Sequence, residues 1–363
     1  MLASLFGTGF VLAGQEALLV ATRKPGVIVG PIATFLGAIY NFLFNFIYGI
    51  SPTGSLVIAI VLFTVLVRLV LTPLMVKQQK STYMMQKIQP EMTKIQNKYK
   101  NKKDPESQRK MAYEIQKLQK DNGVNMLGGC LPMLIQLPIL YALFYIFQKA
   151  YIYVDVIGQN YSKIADVLLS IPVEARVNLL KPIALANNLS MDLAVRDDIL
   201  VLINTITSGE WTTIINNAGT QFAALLQPLV ADKNLIEFFF GINLVAKAGW
   251  HFPGILIPIA AGLTTFLSSK IMMTRQKKSQ VGAEKNSMTS SMDSMMYIMP
   301  VIMAAMCVNF PAALGVYWTV SNIIQIAQTA VLNKMFDKKY GVIGAAQTAE
   351  AEPKKVAETK ADK

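Results

Sequence analysis

A single arginine, Arg68, interrupts the longest apolar stretch of the chain. Leu56–Val76 is an apolar run of 21 residues in which Arg68 is the only charge. As a helix, this run could cross a bilayer core of roughly 30 Å. A cation there costs about 2.5–3.5 kcal/mol on insertion-based scales unless it faces protein or water. Arg68 either snorkels about 12 Å to the headgroups or lies in a buried polar cavity, and the length of that reach favours the cavity.

Further polar side chains are predicted at membrane depth: Gln136, Thr265, Ser268, Ser321, Gln325 and Gln328. Taken singly, each of these side chains is explained by ordinary hydrogen bonding between helices. Together with Arg68 they indicate a shared hydrated cavity with a cationic centre. The predicted spans contain no Asp or Glu for ion coupling or proton relay, and the chain has no nucleotide-binding loop. His251 is the only histidine, which argues against histidine-based metal sites and catalytic triads, and no cofactor is expected.

The composition is that of a polytopic membrane protein. Of 363 residues, 53% are hydrophobic and only 15% are charged, well below the quarter or so that is typical of soluble domains. The net charge of +12 is therefore interpreted loop by loop, because Lys and Arg are retained on the cytoplasmic side. Cys130 and Cys307 lie in or beside apolar segments without metal-ligand spacing, and we expect both to be buried.

The distribution of apolar runs and charged loops predicts five membrane spans, with the N-terminus outside and the C-terminus inside. The predicted segments are an export-signal-like segment (1–25), an interfacial amphipathic helix (26–53), a first span (54–76), a cytoplasmic basic helical hairpin (77–126), a second span (127–151), an extracellular connection (152–253), a third span (254–275), a cytoplasmic loop (276–293), a fourth span (294–309), a fifth span (311–333) and a cytoplasmic charged tail (334–363).

Two of these segments leave alternatives open. The aromatic-rich stretch Pro31–Ile50, which also carries Asn41 and Asn45, fits a helix lying along the membrane surface, with a spanning helix as the alternative. The segment 77–123 has twelve basic and five acidic residues, and its apolar side chains form two helical stripes separated by a turn at Asp104–Glu106. It is either a solvated coiled coil or a contact for ribosomal RNA or a nascent chain.

The connection between the second and third spans has the opposite charge balance. Residues 154–250 contain nine acidic and six basic residues, which agrees with an external location. They are numerous enough for a small, mostly helical domain but show no catalytic constellation. Phe238–Phe240 and Trp250–Phe252 are typical of aromatic residues at a membrane interface.

At the second span the sequence resembles the YidC/Oxa/Alb membrane protein insertases. The resemblance rests on Gly128–Pro138 (GGCLPMLIQLP), on Arg68 with Thr72–Leu74, on the basic hairpin, and on Phe310–Ala312 through Tyr317 and Trp318. It covers about Ser51–Asn333 except the external connection. Because no large folded domain precedes the first span, the arrangement resembles the form found in single-membrane bacteria.

The resemblance implies an all-α fold in which five transmembrane helices enclose a hydrophilic groove, open to lipid and cytoplasm and closed outside. Its arginine, here Arg68, would attract acidic residues in the external tail of a substrate, and Trp318 matches the groove-side tryptophan. Ser268 stands where members often have glutamine. The groove residues expected in this chain are Arg68, Gln136, Ser268, Trp318 and Gln325.

The favoured hypothesis is a non-enzymatic insertase and chaperone of the bacterial plasma membrane that needs no nucleotide hydrolysis. Expected partners are nascent membrane proteins, membrane lipids, the ribosome through the basic hairpin and tail, and the Sec translocon. A small-solute transporter or channel is the main alternative. An intramembrane protease would need a Ser-Lys pair, an Asp pair or metal-binding histidines at membrane depth, and the sequence has none of these.

Overall fold

The structure is a computed structural model that describes residues 26–27, 29–102, 104–124, 131–279 and 287–343. The export-signal-like segment, the Gly128–Cys130 step and the tail beyond residue 343 lie outside the described residues. The chain divides into two compact units. The first comprises Met1–Phe63, Leu137–Pro258 and Met306–Tyr317, and the second comprises Thr64–Gln136, Ile259–Ala305 and Trp318–Lys363.

The described part of the chain is almost entirely helical, as predicted. Its helices are α1 (Val29–Ile50), α2 (Ser55–Tyr99), α3 (Pro105–Asp121), α4 (Leu131–Gln148), α5 (Ala150–Tyr153), α6 (Asp155–Ser170), α7 (Val173–Ala186), α8 (Arg196–Thr205), α9 (Ser208–Asn217), α10 (Thr220–Glu237), α11 (Leu256–Ser279), α12 (Ser287–Asn309) and α13 (Ala312–Tyr340). A two-stranded antiparallel hairpin pairs β1 (Phe238–Phe239) with β2 (Ile242–Asn243).

Three of the described helices are long and apolar enough to cross a membrane: Val29–Ile50, Ser55–Tyr99 and the Leu256–Arg275 part of α11. Gln136–Gln148 and Tyr297–Asn309 are shorter apolar helices. The five-span arrangement therefore stays a prediction. Whether α1 lies along the membrane surface or spans the membrane also stays a prediction, because its length and composition would allow a spanning helix.

Helix α2 extends through two of the segments expected from the sequence. The predicted end of the first span at residue 76 lies within α2, which continues without a break to Tyr99. The residues after Val76 are Lys and Gln, which favour helix, so the change from apolar to polar alters the surroundings of the helix but not its backbone. The first arm of the predicted hairpin is thus the second half of α2.

The turn between the hairpin arms has the predicted helix-start chemistry. The Asp104 side chain accepts a hydrogen bond of 2.8 Å from the backbone N–H of Ser107, and Pro105 occupies the first helical position of α3. The two arms meet where Tyr99 Oη and Lys98 Nζ both donate to Glu114 Oε1, each at 2.8 Å. These contacts, first with Lys98 and then with Tyr99, lower the pKa of the Glu114 carboxyl.

Helix α1 buries one stripe in the first unit. Tyr40 is fully buried and makes edge-to-face contacts with Phe63 and Phe147, both with ring centroids 5.6 Å apart. Asn41 accepts a hydrogen bond from the backbone N–H of Asp155 and donates one of 2.7 Å to its carboxylate. The face away from this stripe exposes Phe35, Phe42 and Phe46.

Residues 152–253, which are predicted to lie outside and are called here the external connection, fold around α6 within the first unit. Its buried stripe is apolar apart from one hydroxyl and contains Ile157, Tyr161, Ile164, Ala165 and Leu168. This stripe packs against α8 and α10. The buried guanidinium of Arg176 donates to the carbonyls of Leu169 and Ile171 and so satisfies carbonyl groups at the end of α6.

A buried ion pair lies in the same core. Lys233 Nζ is 2.6 Å from Glu237 Oε2, and the two side chains are 2% and 1% exposed. Tyr161 Oη donates to the other carboxylate oxygen at 2.6 Å, and Asn243 Nδ2 donates to Oε2 at 3.2 Å. Burial, followed by the Glu237 charge, holds the pKa of Tyr161 well above its usual value, so Tyr161 stays a neutral donor.

We expect Glu237→Gln to destabilise the external helices by about 3–5 kcal/mol, because it leaves the Lys233 ammonium buried without its counter-ion. Combining Glu237→Gln with Lys233→Met removes both charges and should recover most of the loss. Hydrogen exchange of the full chain, followed at the amides of α6 and α10, measures both effects. Equal protection in Glu237→Gln and the unaltered chain would show that the ion pair does not stabilise this core.

Candidate functional site

Arg68 is held by side chains of α13 in the second unit. Its Nε donates to Ser321 Oγ at 2.9 Å, and its Nη2 donates to Ser321 Oγ at 2.5 Å and to Gln325 Oε1 at 3.2 Å. Ser321 is 3% exposed, whereas Arg68 is half-buried. Both of these acceptors are neutral side chains, and they orient the guanidinium.

The spacing of polar residues on α13 explains why they reach α2. Ser321, Gln325 and Gln328 are separated by four and three residues, which places them on one face of the helix. Gln328 Nε2 donates to Thr72 Oγ1 at 3.0 Å, and Thr72 in turn donates to the carbonyl of Arg68 at 2.8 Å. One polar face of α13 therefore binds both Arg68 and the next turn of α2.

A neighbouring residue of α13 faces α11. Asn322 is 8% exposed, and its Nδ2 donates to Thr265 Oγ1 at 2.8 Å and to Thr264 Oγ1 at 3.3 Å. Each threonine hydroxyl also donates to the carbonyl of Ala261 in its own helix. Hydrogen bonds of this type fix helix pairs in apolar surroundings. The sequence placed Thr265 at membrane depth but did not identify Asn322 as its partner.

The five groove residues expected from the sequence are only partly brought together. Arg68 and Gln325 are in direct contact, and Ser321, which the sequence placed at the same depth, accepts hydrogen bonds from both Nε and Nη2 of Arg68. Gln136, Ser268 and Trp318 are half-buried in the same unit. Ser268 and Trp318 lie outside the hydrogen-bonded cluster described above. Whether all five form one groove stays a prediction.

A second polar cluster joins the first hairpin arm to the end of α13. Tyr83 is 1% exposed, and its Oη is 2.8 Å from Asp337 Oδ1 and 2.5 Å from the carbonyl oxygen of Gly341. Arg275, in the last turns of α11, forms an ion pair with Asp337 and places its guanidinium carbon 5.8 Å from the centre of the Tyr83 ring. Apolar packing of Tyr83 with Phe336 and Ile343 surrounds these contacts.

Sequence analysis missed this second cluster. Asp337 and Tyr83 are 254 residues apart and lie in segments interpreted as a charged tail and a solvated hairpin. The available signal was the apolar Phe336 between charged residues, which shows that α13 still has a buried side beyond the predicted end of the fifth span at residue 333. The cysteine expectation is confirmed for Cys307, which is 1% exposed, while Cys130 lies outside the described residues.

The chemistry that these clusters support is the binding of charge and polar groups. Among the described residues, no group of three or more His, Cys, Asp or Glu side chains is placed to hold a metal ion. Arg68 offers a cation in an apolar helix, where an acidic group is attracted more strongly than in water.

Comparisons with known proteins agree on one family. Residues 46–339 match the family model described as 60Kd inner membrane protein. The chain is 30% identical over 315 residues to the membrane protein insertase YidC of Clostridium perfringens, covering 86% of this chain and 94% of that protein. It is 31% identical over 283 residues to membrane protein insertase YidC 1 of Lactococcus lactis, covering 78% and 70%. The corresponding values for membrane protein insertase MisCA of Bacillus subtilis are 27% over 275 residues, covering 76% and 69%.

The Arg275–Asp337 pair allows a charge-swap test of the second cluster. We expect Arg275→Asp and Asp337→Arg each to loosen α2 near Tyr83, since each places like charges together beside the hydroxyl of this buried tyrosine. The double variant restores the pair and should recover about 1–3 kcal/mol of coupling energy. Hydrogen exchange at the amides around Tyr83 in the full chain measures this. A double variant as poorly protected as the sum of the single variants would contradict it.

Proposed function

The chain belongs to the 60Kd inner membrane protein family, whose members named above are membrane protein insertases, and from that premise we propose that it inserts nascent membrane proteins into the lipid bilayer. The protein is located in a membrane, as its family and its apolar helices require. Its relatives are insertases, not enzymes that catalyse a covalent reaction. We extend the proposal to a chaperone role in helping substrates to fold.

The contact of Arg68 with α13 carries the mechanistic part of the proposal. A guanidinium bound by Ser321 and Gln325 keeps its positive charge and a fixed orientation. It would attract acidic groups in the external tail of a substrate while the tail passes through the membrane. An attraction to a single cation is reversible, which transfer of the substrate onward into lipid requires.

The second part of the proposed mechanism is that the region around Arg68 is hydrated. Gln328 is half-buried beside Thr72, and its Oε1 is buried without a hydrogen-bond partner in the described part of the chain. A buried amide oxygen of this kind is a favourable site for a bridging water molecule. We infer a hydrated groove lined by Arg68 and Gln325, with Gln136, Ser268 and Trp318 as further lining residues. Such a groove would shorten the apolar path that a polar tail crosses.

The charge distribution supports an orientation and a set of partners. The basic hairpin and the C-terminal tail would lie in the cytoplasm and the acidic external helices outside, with five spans between them. The hairpin exposes most of its lysines and arginines, which suits contact with a ribosome. Insertion would proceed without nucleotide hydrolysis, either by this protein alone or beside the Sec translocon.

Removal of the Arg68 charge tests the mechanism. We expect Arg68→Ala to reduce insertion of a single-span substrate with an acidic external tail at least about tenfold, since a charge attraction of 1.4 kcal/mol or more would be lost. Arg68→Lys should keep most of the activity because it keeps the charge. Insertion is measured as digestion of the tail by protease added outside cells that are depleted of their own insertase.

Two controls complete this experiment. Arg196→Ala removes an exposed arginine of the external helices and should leave insertion unchanged. A substrate whose acidic tail residues are replaced by Asn and Gln should respond little to Arg68→Ala. If Arg68→Ala inserts the acidic substrate at the full rate, charge attraction is excluded. If the unaltered chain inserts neither substrate, the insertase proposal itself is wrong.

A matched pair of fourfold variants locates the ribosome contact. Lys94, Arg109, Lys117 and Lys120 are exposed on the hairpin, and the tail offers Lys354, Lys355, Lys360 and Lys363. Replacing the hairpin set with Gln should weaken co-sedimentation with ribosomes and flatten its dependence on salt, because fewer phosphates are neutralised. Replacing the tail set should have a smaller effect. The reverse order would assign the contact to the tail.

A further inference from the structure

Two loops of the external connection bring exposed aromatic side chains together. Phe240 lies at the tip of the β-hairpin and is 85% exposed, while Trp250 and Phe252 on the following loop are 72% and 78% exposed. A methyl group placed on Gly241 would lie 3.6 Å from Cγ of Pro253, so the hairpin tip and the second loop are in contact. Phe240 and Phe252 are the chain neighbours of the two residues in this contact, and together with Trp250 they are called here the aromatic patch.

The backbone at the hairpin tip holds Phe240 outward. Phe240 and Gly241 have φ values of +48° and +78° and form the two-residue loop between the paired residues Phe239 and Ile242. Loops with positive φ at both positions favour Asn-Gly, and a bulky aromatic residue is unfavourable at the first. Turn chemistry thus does not account for Phe240, whereas a contact outside the chain would.

The aromatic patch adjoins the starts of two helices that are long and apolar enough to cross a membrane. A methyl group on Gly54 would lie 3.7 Å from the ring of Phe239, and α2 begins at the next residue. Trp250 and Phe252 precede the start of α11 at Leu256. Ile58 and Leu256, in the first turns of these helices, are also exposed, so the apolar surface of the helices continues toward the patch.

Charge separates this surface from the rest of the external connection. All nine acidic residues of the connection lie at or before Glu237, and residues 238–254 contain no Asp or Glu. The charged or titratable side chains in that stretch are Lys247 and His251. An anionic lipid surface would therefore meet no negative charge from this segment, and aromatic rings favour the headgroup region of a bilayer.

We propose that the aromatic patch is immersed in the external leaflet of the membrane and holds the external helices against the bilayer surface. The occupant of this surface is the headgroup and upper acyl-chain region of the lipid. The proposal does not depend on what the protein inserts, and it assigns the patch a role as a lipid anchor beside the outer ends of α2 and α11.

Fluorescence of Trp250 tests the proposal in the full chain. With Trp211→Phe and Trp318→Phe, Trp250 is the sole tryptophan of the protein reconstituted in liposomes. Bromine atoms placed high on the lipid acyl chains should quench its emission roughly twofold, bromine near the chain ends should quench less, and aqueous iodide should have little effect. The complementary variant keeps Trp211 and carries Trp250→Phe. Its fluorescence comes from a buried core residue that neither quencher should reach.

Phe240→Asn separates the effect of the aromatic ring from that of the turn, because it removes the ring while creating the favoured Asn-Gly turn. It should lower quenching of Trp250 by the shallow bromolipid and raise quenching by iodide. Leu185→Asn removes a similarly exposed apolar side chain outside the patch and should change neither. Quenching of Trp250 by iodide alone would show a patch in water, and protection from both quenchers would show a patch covered by protein. Either result overturns the proposal.

Discussion

A cation in the middle of an apolar helix must be satisfied by its neighbours, and Arg68 meets this constraint through Ser321 and Gln325. These hydrogen bonds to Arg68 fix the position of α13 along the axis of α2 and its rotation about its own axis. Further polar pairs then follow toward the C-terminal ends of both helices: Thr72 with Gln328, Gln79 with Asn333, and Tyr83 with Asp337. Apolar packing alone would let two such helices slide or turn, whereas each hydrogen bond of this series holds them in a single register.

The two units use polar groups differently. Around Arg68 in the second unit, the neutral side chains of Ser321 and Gln325 accept hydrogen bonds from the guanidinium and orient it. In the first unit, Lys233 and Glu237 neutralise each other inside an apolar core, and Tyr161 completes the hydrogen bonding of the carboxylate. The first arrangement suits transient binding and the second suits a fixed fold.

The sequence predicts local features of this protein well and distant contacts poorly. Arg68, Ser321 and Gln325 could be placed at a common depth because apolar runs have a countable length, and Ser321 accepts hydrogen bonds from two nitrogens of Arg68. The turn before α3 followed from the capping chemistry of Asp104. The cluster of Tyr83, Arg275 and Asp337 could not be found in this way, because composition assigns such residues to solvent and only tertiary packing buries them. The continuity of α2 across residue 76 was not predicted, because a change of polarity does not show whether the helix continues.

That continuity has a mechanical consequence. A helix of 45 residues is about 68 Å long at 1.5 Å per residue, and α2 carries Arg68 and the first hairpin arm on one such rod. A force applied to the hairpin by a bound partner would be transmitted to Arg68 along one continuous helix, without an intervening loop. Pro73 and Pro90 interrupt the backbone hydrogen bonding of the rod and are where it bends most easily. Bending at Pro73, five residues beyond Arg68, would therefore reduce the force that is transmitted along α2 to the arginine.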